Sequence, residues 1–234
     1  MAFDGEDFVE SMRAELIASG RTLDQADWVK RVEQGEATKN DLVGWARQHY
    51  HGVTYHTRRF LCIWVGRIPY EMTDITIENI GEEVLGTQSK SGFGHLHWLF
   101  EFTRALGAPD SVITDATPNV DAVLSESFLY NLAHQRPWYE FQFGAALAIE
   151  NQIPSAYKKV VAGFKEHYTS VLKPEDYAFH TIHIYADEEH GGHVGEFAEA
   201  YLDTEEKRRS ARAAYFAGAE SARRCWDAYT GATW

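Results

Sequence analysis

The sequence predicts an all-α fold, a bundle of about seven or eight helices. Three observations carry that prediction. Apolar residues recur at helical spacing along nearly the whole chain, and no convincing period-two alternation marks a strand. Proline is scarce, with six residues, and no Pro/Gly/Ser-rich stretch marks a linker, so residues 1–234 read as one domain. The β-prone run Ile75-Thr76-Ile77 sits inside helical patterning.

At the N-terminal end Phe8, Met12 and Leu16 fall at i, i+4 and i+8, and Gly20 reads as a stop. A short helix is predicted over 23–32, before Gly35. Thr38 with Asp41 three residues on forms a capping signature, and the helix it opens is predicted to reach about Gly66, with Pro69 ending it. Helices are then predicted over 74–85 and 95–106, separated by a Gly/Ser/Lys loop at 86–94. Further helices are predicted over 119–135, 138–149, 154–171, 174–202 and 205–230. The stretch 138–149 is apolar almost all round, which marks a central helix.

Composition narrows the function classes. A chain of 234 residues with 44% apolar content can bury a full core without staples. With 22 basic and 35 acidic residues the formal charge is −13, which argues against nucleic acid and anionic membrane as partners. No run of eighteen apolar residues predicts a transmembrane helix. The N-terminus lacks the basic start and apolar stretch of a signal peptide, and Cys62 and Cys225 cannot form a disulfide framework. A cytoplasmic protein is the expectation. Eleven histidines among many carboxylates are raw material for a metal site.

The densest chemical signal is 177–190. His183, Asp187 and His190 stand at i, i+4 and i+7 and fall within about 60° of one another on a helix face. Two imidazoles and a carboxylate suit iron or manganese better than calcium or magnesium. A solvated acidic helix face would show the same spacing. His180 and His193 lie beside this stripe and read as supporting or surface histidines. Glu188 and Glu189 point away from it. Facing helices must supply the remaining ligands. Glu150 ends an apolar run, where a charge must be paired, metal-bound or solvated at the helix end. Glu82, Glu83, His95 and His97 flank the glycine-rich loop and complete the candidates.

At these residues the chain resembles the haem-oxygenase-like di-iron oxidases, which share a fold with the pyrroloquinoline-quinone synthase and thiaminase-like proteins. The resemblance covers most of the chain. Residues 35–42 match the lead into the family's second long helix. Asn79-Ile80-Gly81-Glu82-Glu83 is similar to the family's Asn-x-x-Asp-Glu segment, which places the ligand on Glu83. The helix from His95 to Ala105-Leu106-Gly107 is similar to the family's His-led helix, which implies His95 rather than His97. Ala148-Ile149-Glu150 resembles the segment that supplies a further glutamate, and His183-x3-Asp187-x2-His190 is the family's iron-binding triplet.

The resemblance implies six ligands, Glu83, His95, Glu150, His183, Asp187 and His190, holding two ferrous ions, with dioxygen as co-substrate and a homodimer as the assembly. His183 separates the chain from the cofactorless quinone synthases, which lack that histidine. Neither cysteine carries the thiaminase signature. The substrate tyrosine of para-aminobenzoate-forming relatives aligns near Val29, beside Trp28, and their donor lysine near Val160, beside Lys159, which argues against that activity. The 86–94 loop separates Glu83 from His95 more widely than in many relatives and is a candidate lid or entrance.

The expected activity is oxidation of a small amino-acid-type substrate by C–C cleavage, N-oxygenation or nitrile or alkene formation, in specialised metabolism. Arg58, Arg59 and Lys159 are candidate partners of a substrate carboxylate, and Trp98 and Tyr139 candidate pocket aromatics. The alternatives are a fatty-acid oxidative decarboxylase on the same site, a metal-free oxidase or hydrolase on the same scaffold, and a non-catalytic helical binding protein.

Overall fold

The structure, a computed structural model, describes residues 3–190 and 194–229, the side chains of Ile75 and of residues 186–190 excepted. The described residues are all-α. Helix α1 (Gly5–Ala18) is capped by the Asp4 side chain, which accepts from the Asp7 amide, and buries Val9, Met12 and Leu16. Helices α2 (Asp27–Glu33) and α3 (Lys39–His49) come next. Thr38 and Asp41 form the reciprocal capping box at the start of α3.

The helix predicted over 38–66 is divided. A π-turn at Tyr50–Thr54 separates α3 from α4 (Thr57–Val65). A π-turn adds a residue to one helical turn, so it rotates the face that the residues beyond it present. Helices α5 (Thr73–Leu85), α6 (His95–Ala105), the single turn α7 (Ser111–Thr114) and α8 (Val120–His134) continue the chain. The apolar stretch predicted as one central helix is α9 (Trp138–Phe141), a second π segment (Gln142–Leu147) and a 3-10 turn at Glu150–Gln152. Helix α10 (Ile153–His167) carries Pro154 in its first turn, where its missing N–H is harmless.

The helix predicted over 174–202 is a 3-10 turn at Pro174–Tyr177, α11 (Ala178–His190) and α12 (Val194–Tyr201). Helix α13 (Glu205–Asp227) closes the order. The described residues thus hold thirteen α-helical segments where the apolar spacing predicts about seven or eight helices. The reason is that π and 3-10 turns interrupt stretches whose apolar spacing runs on.

Helix α10 packs on α2 and α11, α1 on α12, α4 on α5 and α8, and α13 crosses α8 and the second π segment. At that crossing Gly218 has to be glycine, since a Cβ there would lie 1.8 Å from the Gly144 carbonyl oxygen. The main core gathers Trp28, Trp45, Tyr157, Phe164, Phe179 and Trp226 from five helices. Trp28 and Trp45 stack with ring centroids 5.0 Å apart. Burying each such ring contributes roughly 1.5–3 kcal/mol, which holds α2, α3, α10, α11 and α13 around one centre. Among the described residues no helix is long and apolar enough to cross a membrane.

Candidate metal centre and cavity

The centre is built where α5 ends. Gly86 takes a left-handed conformation (φ 64°) and stops the helix just after Glu82 and Glu83. Adjacent helical residues point about 100° apart, so the two glutamates do different things. Glu82 is 1% exposed, and its Oε2 accepts hydrogen bonds from the Gln88 and Ser89 amides at 2.7 and 2.9 Å. Its Oε1 lies 3.4 Å from His95 Nε2. Burial opposes the charge on Glu82, but His95 and the two amides hold its carboxyl down at about 2. Glu82 therefore ties the 86–94 loop to the first residue of α6.

Glu83 meets the other nitrogen of the same His95 ring. Its Oε1 lies 3.0 Å from His95 Nδ1. Burial works against its charge as well, yet the neighbouring His95 and His183 keep it below the usual carboxylate range. His183 arrives from α11, its ring centroid 4.1 Å from that of His95. Its Nδ1 lies 2.7 Å from the Phe179 carbonyl oxygen. A carbonyl only accepts, so Nδ1 carries the proton and Nε2 keeps its lone pair. Burial and the adjacent His95 push His183 down to about 3, so it is neutral at physiological pH, as a ligand must be. One donor atom from each of Glu83, His95 and His183 lies within 4.8 Å of the others.

Glu150 stands in the 3-10 turn before α10, on the wall of a cavity that Glu83 and His183 also line. Burial first, and the negative Glu83 second, raise its carboxyl to about 7. A second positive charge would relieve both effects. Asp187 and His190 belong to α11, but their side chains lie outside the described ones, as does His193 altogether.

The cavity's walls are mostly apolar: Val53, Phe60, Leu129, Phe141, Ile149 and Trp226 are among them. Both π-turns border it, through Val53 and Thr54 and through Ala145. Among the described residues no lysine or arginine lines it. Arg58 instead lines a separate pocket with Tyr55, Phe93 and Phe100, which shares Glu83 and Thr54 with this cavity. Arg59 lies over the Tyr55 ring, 5.1 Å from its centroid. Lys159 is ion-paired to Asp24 at 2.9 Å and stays off the cavity. Trp98 packs on the main core and Tyr139 on the cluster around α1, and neither lines the cavity.

The structure excludes the surface alternative for His180 and adds one histidine that the sequence reading passes over. His180 is fully buried, neither at the surface nor among the three converging donors. Its ring sits 4.6 Å from Trp45, 4.9 Å from Phe102 and Tyr157, and 5.1 Å from Phe164, and among the described residues no hydrogen-bond partner meets either nitrogen. His49, which no motif singles out, lines the cavity. A signal was present. Leu42, Trp45, Ala46 and His49 form an i, i+3, i+4, i+7 stripe, and a polar residue on a buried stripe calls for a reason. His97 stacks on Phe93, 4.1 Å away, outside the metal group.

Comparison with known proteins identifies the family and the fold. A family model described as iron-containing redox enzyme matches residues 43–227. No curated protein matches the sequence. Among solved structures, the chain is similar to a domain of unknown function with a haem-oxygenase-like fold from Shewanella denitrificans (15% identity, TM-score 0.72, 96% of this chain and 89% of that one). It is similar to a CADD-like protein of unknown function from Nostoc punctiforme (16%, TM-score 0.73, 96% of each chain). A TenA homologue from Pyrococcus furiosus is also similar (16%, TM-score 0.71, 94% and 98%). At these identities the structures establish the fold. The family match spans most of the chain, and the chain belongs to the iron-containing redox enzymes with a haem-oxygenase-like fold.

Proposed function

We propose that the protein is a non-haem di-iron oxidase that uses dioxygen to oxidise a small substrate. The observation that carries this reading is the convergence of Glu83, His95 and His183 at a cavity that Glu150 also lines. The donor set of imidazoles and carboxylates fits ferrous iron. Glu83, His95, Glu150 and His183, with Asp187 and His190 from the same helix as His183, are the residues we assign to hold two ions. When bound, the iron supplies dioxygen activation, which protein side chains cannot perform.

The chain's own residues do the rest. The Phe179 carbonyl keeps His183 in the tautomer that offers Nε2. Glu82 holds His95 and the 86–94 loop in register. The apolar walls keep bulk water away from the reacting centre and receive the body of the substrate.

The cavity wall bears on the substrate class. The sequence predicts that an amino-acid-type substrate meets Arg58, Arg59 or Lys159, and none of these lines the main cavity. That favours a more hydrophobic substrate, including the fatty-acid-type alternative. A homodimer is the assembly the family resemblance suggests, and light scattering of the purified protein tests it.

Anaerobic titration with ferrous ion tests the central reading. About two irons per chain are expected. Admission of oxygen then produces a transient visible absorption whose decay a true substrate accelerates, and screening fatty acids against amino acids identifies the class. Binding of no more than trace iron, with His183→Ala indistinguishable from wild type, would return the protein to the metal-free or non-catalytic readings.

A further inference from the structure

Apart from the metal donors, the cavity wall is backed by a hydrogen-bonded chain that the proposed activity leaves unused, in which His49 and Cys225 line the cavity and Tyr229 joins them. Tyr229 is fully buried, and its hydroxyl lies 2.9 Å from His49 Nδ1 and 3.6 Å from Cys225 Sγ. Burial pushes the thiol up to about 12 and the phenol well above its ordinary range, so both keep their protons. Tyr229 has one proton to give. An imidazole nitrogen is a much better acceptor than a sulfur, so the proton points to Nδ1. The same burial pushes His49 down to about 3, and the ring is neutral. A neutral imidazole that accepts at Nδ1 carries its hydrogen on Nε2.

His49 is 5% exposed and belongs to the cavity wall. Its ring is held by edge contacts with Phe179 and Trp226 and by a stack on Trp45, with centroids 5.0–6.3 Å away. With Nδ1 taken by Tyr229, the Nε2 edge is left for the cavity. The wall is mostly apolar and, among the described residues, holds no lysine or arginine; its charged groups are the Glu83 and Glu150 carboxyls, and the charge of Glu83 acts on His49 against burial. A fixed N–H donor on such a wall can pair with an acceptor that a bound molecule brings.

We propose that His49 reads the polar end of the substrate, its Nε2–H donating to a carbonyl or carboxylate oxygen on a molecule whose remaining body is apolar. Tyr229 is the positioning residue that selects the tautomer. This deepens the substrate reading of the same cavity and does not depend on the iron.

The full chain after chelator treatment tests it, so failure of the iron reading leaves the result interpretable. Long-range proton–nitrogen NMR correlations of His49 are expected to show the Nε2–H form. Hexanamide, with one carbonyl acceptor on a short apolar chain, serves as the probe. It is expected to bind the wild type, about tenfold more weakly to His49→Ala, and near wild-type strength to His49→Gln, which restores an N–H donor. Tyr229→Phe frees the ring to exchange between tautomers and weakens binding in part. Hexylammonium, which offers no acceptor, is insensitive to His49. An Nδ1–H tautomer in the wild type, no binding of hexanamide, or equal affinity of wild type and His49→Ala would each overturn the proposal. The tautomer measurement needs no variant and is unaffected by folding defects.

Discussion

His183 Nδ1 lies 2.7 Å from the carbonyl oxygen of Phe179, one helical turn earlier in α11. The contact is local, so it forms wherever that stretch is helical, and it orients the ring before any metal arrives. His183→Ala removes the donor itself. Iron content after anaerobic reconstitution is expected to fall at least about tenfold, measured by metal analysis, while circular dichroism stays helical. Full iron content in that variant would exclude His183 as a ligand.

Glu82 couples the loop to the centre. Glu82→Ala leaves the Gln88 and Ser89 amides without their acceptor, with an expected loss of about 1–3 kcal/mol and faster hydrogen exchange at both amides. The acid also sets a pH dependence. Its folded value of about 2 lies below the ordinary 4.5, so its contribution is complete above pH 4.5 and is lost as pH falls toward 2. Urea unfolding of wild type and Glu82→Gln across that window should converge at the acid end.

Glu150 has the opposite sign. Its carboxyl is raised from 4.5 to about 7 in the metal-free protein, so the folded state holds a proton that the unfolded state releases. This group therefore lowers stability progressively as pH rises from 4.5 through 7. Metal-free Glu150→Gln is expected to melt higher than wild type at pH 8 and alike at pH 4, by scanning calorimetry. Equal melting of the two at pH 8 would show that Glu150 is solvated.

Gly218→Ala tests the crossing of α13 over the second π segment. The added methyl would overlap the Gly144 carbonyl oxygen, and the two elements must separate. A loss of about 1–3 kcal/mol is expected in chemical denaturation. Gly20→Ala is the contrasting variant, because no neighbour meets a Cβ there and only its left-handed backbone (φ 66°) resists.

Much was legible in the chain itself, because helix formation is governed by neighbours in sequence. The apolar period, the Thr38–Asp41 capping box and the stops at Gly20 and Gly86 are all local, and each is found where the residues imply it. The pairing of Glu83 with His95 follows from the family resemblance, since the residues alone leave Glu82 and His97 open, whereas the stripe of His183, Asp187 and His190 is a local reading whose last two side chains lie outside the described ones. Local pattern could not decide which single residues from separate helices share one wall. The π-turns at Tyr50–Thr54 and Gln142–Leu147 change helix phase without changing the apolar spacing, and so they re-aim the side chains beyond them. Only the packed helices take Lys159 to Asp24, enclose His180 among aromatic rings and turn His49 toward the cavity. A cavity is defined by the space that packing leaves open, and that depends on every helix that surrounds it.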